Sequence, residues 1–134
     1  MARQRRKSLT ELGELQLDVF ERLCKLGEAT VYAVLDRFPP SQRPRYTTVL
    51  TALRSLEQKG FVTHRQQDRA YVFRPAVDVR QVRGRLVRQL LDTVFGGSPR
   101  ALVGALLDTQ DVTPEVLQQL KALIADKEAK DGRK

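Results

Sequence analysis

At 134 residues and 15.2 kDa the chain has room for one or two compact domains, with 41% hydrophobic residues to build a core and 30% charged residues to solvate it. Its longest stretch without a polar side chain is the seven residues Ala101 to Leu107, short of the ~20 of a bilayer span and far from the N-terminus where a signal peptide sits, so membrane and secreted readings fall away. A net charge of +8 and a pI near 10.1 point to a polyanion such as nucleic acid before any small molecule.

Residues 1–9 hold Arg3, Arg5, Arg6 and Lys7 with almost no apolar content, and read as a flexible basic arm able to lie along a minor groove. From residue 10 the pattern changes. Leu12, Leu15, Val19, Leu23 and Leu26 recur every three or four residues and predict a first helix that Gly27 ends. Within it, Cys24 is one cysteine without a disulfide mate, best read as a small buried residue, and a reduced, cytoplasmic protein is expected. Thr30 is a candidate N-cap for a short second helix with Val31, Val34, Leu35 and Phe38 on one face, stopped by Pro39 and Pro40. After the loop PPSQRPR, the spacing of Tyr46, Val49, Leu50, Leu53 and Leu56 predicts a third helix, and Gly60 stands where a left-handed C-terminal residue is needed.

Beyond Gly60 the period shortens. Phe61 to Gln66 and Ala70 to Arg74 are rich in β-branched and aromatic residues around the polar QDR, which predicts a β-hairpin closed by Pro75. Asp78 can cap a long helix striped by Val79, Val82, Leu86, Leu90 and Val94, and Gly96-Gly97 break it. Ser98-Pro99 and Thr113-Pro114 each pair an N-cap with proline at the first helical position, so two more helices start there, and KEAKDGRK reads as a frayed tail. The expected organisation is a basic arm (1–9), a winged helix-turn-helix (10–76) and a helical region (77–134). The fold class is mainly α with a small β-hairpin wing.

Charge and helix chemistry then point to a site. Residues 1–76 carry 14 basic and 8 acidic groups, and the span 37–74 alone accounts for that net +6. Three helices followed by a basic two-stranded ribbon is the arrangement of a winged-helix DNA binder. The third helix shows Thr47, Thr48, Thr51, Arg54, Ser55 and Gln58 outward. Four β-branched residues between 47 and 51 are poor helix chemistry that the core does not require. Hydroxyls and an arginine suit base edges in a major groove, so Thr47, Thr48, Thr51, Arg54 and Ser55 are the expected base readers. Arg43, Arg45, Arg65, Arg69 and Arg74, on the preceding loop and the ribbon, are the expected backbone contacts. Three C-terminal helices bury too little surface alone. Val82, Leu86, Leu90, Val94, Leu117, Leu120, Leu123 and Ile124 are therefore expected to meet a second copy, the alternative being that they fold back on their own chain.

The run YTTVLTALRSLEQKGFV from Tyr46 to Val62, with AYVFRP at 70–75, LGELQ at 12–16, GEATVYAVL at 27–35 and the pair Gly96-Gly97, resembles the penicillinase-repressor family (BlaI/MecI/CopY type) over nearly the whole chain. The resemblance implies a winged-helix repressor binding inverted-repeat operators in double-stranded DNA as a homodimer through its C-terminal helices. It places the recognition positions on Thr47, Thr48, Thr51, Arg54 and Ser55. Two departures stand out. Where some members carry an Asn-Phe bond cut by a regulatory sensor protease, this chain has Ala105-Leu106. The cysteine cluster of copper-responsive members has no counterpart in the C-terminal residues 107–134.

His64 lacks a nucleophile or carboxylate near it in sequence and cannot complete a zinc cage with Cys24, so phosphate contact or plain exposure is expected there. Gly96-Gly97-Ser98 has no following Lys and makes no phosphate loop. Neither enzyme chemistry nor a cofactor is expected. The rival readings are a winged-helix protein-interaction module and a non-specific architectural DNA binder.

Overall fold

The computed structural model describes residues 11–132, so the arm at Arg3 to Lys7 lies outside the described residues. In chain order it contains α1 (Glu14–Leu26), α2 (Val31–Leu35), a 3-10 turn (Pro40–Gln42), α3 (Tyr46–Gln58), β1 (Val62–Gln67), β2 (Ala70–Pro75), α4 (Val79–Val94), α5 (Pro99–Leu107) and α6 (Pro114–Asp131). The chain divides after Leu90 into two compact units.

In the first unit α1 buries Val19, Phe20 and Leu23, with Leu12 just ahead of it, and Gly27 ends the helix at φ 84° with its N–H on the Leu23 carbonyl. Thr30 caps α2 as expected, its hydroxyl accepting the Ala33 N–H at 3.2 Å. The helix stops at Leu35, earlier than the prolines. Phe38 turns into the core through a bond from its N–H to the Leu35 carbonyl, and a residue preceding proline is a poor continuation of a helix. On α3 the buried line runs through Val49, Ala52, Leu53 and Leu56. Tyr46, expected in the apolar stripe, is 39% exposed because positions 46 and 50 fall on a flank of that line.

Gly60 takes φ 86°, and β1 and β2 then pair antiparallel from Val62↔Pro75 to Gln67↔Ala70. Phe61 lies outside the strand but is buried, its ring edge-on to Phe20 at 6.2 Å. The two-residue turn is Asp68-Arg69, with Asp68 at φ 55°, a region Asp tolerates better than most non-glycine residues. Ala29 adds a bridge to Phe73, each N–H donating to the other's carbonyl at 2.9 Å, which ties the entry to α2 onto the wing.

Asp78 caps α4 reciprocally. Its carboxylate accepts the Arg80 N–H at 2.8 Å, while its own N–H donates to Gln81 Oε1 at 3.3 Å. Val82, 1% exposed, joins the core of the first unit, and Leu86 packs against it. These two residues, expected in a dimer face, are therefore used within the chain. The first unit accordingly runs to Leu90 rather than to residue 76, because the start of α4 completes its core. Glu11 adds polar ties to the same helix: its N–H donates to Gln89 Oε1 at 2.7 Å and its carboxylate lies 2.8 Å from Arg85.

In the second unit Gly96 and Gly97 have φ 57° and 80°, and the Gly97 N–H bonds the Leu91 carbonyl, closing α4. Ser98 and Thr113 cap α5 and α6 through the N–H groups of Ala101 and Val116. The tail expected to fray is helical through Asp131, where Lys127 and Asp131 pair at i,i+4. Neither α5 nor α6 buries a residue fully, and Val103, Leu106, Leu107, Leu117, Leu123 and Ile124 stand exposed. Among the described residues no helix is long and apolar enough to cross a membrane.

Candidate nucleic-acid interface

With its buried line fixed at 49, 52, 53 and 56, α3 points Thr47, Thr51, Arg54 and Gln58 directly away from the core by helical spacing, with Thr48 exposed beside them. The Thr51 hydroxyl donates back to the Thr47 carbonyl at 2.8 Å, so its methyl and its oxygen lone pairs are what an approaching partner meets. Ser55 differs. It is half-buried, and its hydroxyl accepts from Gln16 Nε2 at 3.1 Å, while Gln16 Oε1 accepts from Lys59 Nζ at 2.9 Å. Expected among the base readers, Ser55 is thus occupied in joining α3 to α1.

The arginines separate in the same way. Arg45, Arg54, Arg69 and Arg74 are exposed with no side-chain partner among the described residues, so their charge is available to an anion. Arg43 donates to the Phe38 carbonyl at 3.3 Å, and Arg65 is paired with Glu28 at 2.9 Å and reaches Gln67. Of the five arginines expected on the backbone, three are unpaired and two are engaged in holding the loop and the ribbon. His64, expected free or on a phosphate, instead has its Nδ1 2.5 Å from a Glu57 carboxylate oxygen and its ring edge-on to Tyr71. It braces β1 against the end of α3.

One pair of residues went unseen in the sequence. Tyr32 on α2 and Tyr46 at the start of α3 are 67% and 39% exposed, with ring centroids 4.8 Å apart. The available signal was the position of Tyr46 at the edge of its apolar stripe.

Burial pushes the Cys24 thiol up, helped by the nearby Asp78 and Glu21 carboxylates and opposed by Arg83. The thiolate is the reactive form, so Cys24 should alkylate with iodoacetamide at pH 8 more slowly in the native protein than in urea. Equal rates would mark it as an open, reactive thiol.

A family model described as Penicillinase repressor matches residues 12–126. The solution structure of the DNA-binding domain of the repressor BlaI is similar at a TM-score of 0.46 and 22% identity, covering 55% of this chain and 89% of that one. No curated protein matches.

Proposed function

The chain belongs to the penicillinase repressor family, a family of DNA-binding transcriptional repressors and not of enzymes, and we propose that it acts as a sequence-specific homodimer on inverted-repeat operators. The observation that carries this reading is the outward face of α3, where Thr47, Thr51 and Arg54 serve no part of the core and unpaired arginines lie to either side in sequence, Arg45 before and Arg69 and Arg74 on the wing. In this reading α3 enters the major groove with Thr47, Thr48, Thr51 and Arg54 at base edges. Arg45, Arg69 and Arg74 clamp phosphates, and Arg43 and Arg65 hold the scaffold, turning to the backbone only by giving up their present partners.

The dimer rests on the second unit. Leu91 is the one buried apolar residue described there, whereas Val94, Leu117, Leu123 and Ile124 are exposed and Leu120 is half-buried, and a second copy supplies the cover they lack. Two readers related by a twofold then call for palindromic half-sites about 34 Å apart, or a multiple of that. The protein would work in the cytoplasm, where the operator is. Ala105 and Leu106 lie inside α5, an ordered helix rather than the exposed loop that proteases prefer, so cleavage there is no part of the proposal.

Titration of labelled operator and random duplex at several salt concentrations tests the assignment of roles. Arg69→Ala and Arg74→Ala should weaken all sequences alike and each lower the log-log salt slope by about 1. Thr51→Ala and Arg54→Ala should relax base preference at particular positions by about 1 to 3 kcal/mol. The reverse pattern would exchange reader and clamp. A salt-independent response, with no preference for operator, would favour a protein-interaction module.

A further inference from the structure

We propose that Tyr32 and Tyr46 form an uncharged docking plate for the sugar-phosphate backbone of the DNA strand that borders α3, a role distinct from both base readers and arginine clamps. The proposal rests on the reading that α3 lies in the major groove. A helix in that groove meets base edges along its outermost line and a sugar-phosphate wall on each flank. Thr47, Thr51, Arg54 and Gln58 form the outermost line of α3. One flank carries Ser55, already bonded to Gln16 of α1. The other carries Tyr46, joined there by Tyr32 from α2.

α2 buries Val31, Val34 and Leu35, which turns Tyr32 away from the core and leaves its ring 67% exposed. Tilted by 42° at a centroid distance of 4.8 Å, the two rings fix each other, and neither phenol oxygen has a hydrogen-bond partner among the described residues. Paired, exposed aromatic rings with free hydroxyls suit a partner that offers both apolar surface and acceptors. Charge decides which partner. Arg45, immediately before Tyr46, is unpaired and calls for an anion, and a deoxyribose-phosphate chain supplies sugar faces for the rings and phosphate oxygens for the hydroxyls.

A neutral contact has a signature that an arginine lacks, because it displaces no counterion. Full-length Tyr32→Ala and Tyr32→Phe are titrated, beside the parent and Arg54→Ala, against an operator selected from a random pool and against a random duplex, with melting temperatures measured in parallel. Tyr32→Ala should weaken both duplexes by the same factor, at least about tenfold, the scale of one hydrogen bond to a charged acceptor, with an unchanged salt slope and melting temperature. Tyr32→Phe should show part of that loss, since it keeps the ring. A loss confined to the operator would make the pair a base reader. A lowered slope or melting temperature would trace the effect to a displaced arginine or to packing, and no loss on either duplex would leave the plate to another partner. Each of these outcomes overturns the proposal. If Arg54→Ala leaves operator preference intact, the groove assignment of α3 itself fails, which separates that failure from one confined to the tyrosines.

Discussion

A chain ending at Asp108 is expected to bind operator DNA about 10² to 10⁴ times more weakly than the full chain while its winged helix stays folded. The end point removes α6 and with it Leu117, Leu123 and Ile124, exposed apolar residues that no buried core within the second unit explains. It leaves untouched every buried side chain of the first unit, including Val82 on α4. If the lost surface joins two copies, their readers no longer share one effective concentration. The loss corresponds to roughly 3 to 6 kcal/mol at 1.4 kcal/mol per decade. Sedimentation should show the shorter chain as a monomer, and a melt of the winged helix should be unchanged. A shorter chain that remained dimeric and bound as tightly as the parent would place the dimer contact elsewhere.

Phe20→Ala should cost about 3 to 5 kcal/mol of stability, a large share of the ~5 to 15 kcal/mol that holds a typical domain folded. Phe20 is 0% exposed on α1 and meets Phe61 edge-on, so truncation removes an aromatic contact as well as buried area at the junction of α1 and the wing. Urea titration followed by circular dichroism should show a markedly lower midpoint, and operator binding should fall with the folded fraction. A midpoint like the parent's would mean that the core does not depend on this ring.

Gly60, the change of period after it, and the Thr30, Ser98 and Thr113 caps were legible because each is a local requirement of backbone chemistry, and each stands where expected. Phe20 escaped because it adjoins Val19 and the helical spacing had already been satisfied by one residue per turn. Val82 and Leu86 read from the sequence as apolar positions of a dimer stripe, and the structure packs them against the core of their own unit. Periodicity gives the direction of a side chain and says nothing about what fills the space it points into, which here is the core of their own unit. The same limit applies to the polar residues. Ser55 and His64 were placed on the right elements, yet their partners, Gln16 and Glu57, lie 39 and 7 residues away and only folding brings them together.

The separation of faces on α3 bears on how such a protein diversifies. Positions 47, 51, 54 and 58 contribute no side chain to the core, and two of the four, Thr47 and Thr51, carry residues that better helix formers could replace without a backbone penalty. If α3 reads DNA as proposed, substitutions at Thr47, Thr51 or Arg54 would change operator preference without a toll on the folded population. Position 55 is the exception on this helix. Because its hydroxyl accepts from Gln16, a substitution there also removes a tie between α3 and α1, so its effect on folding is coupled to residue 16.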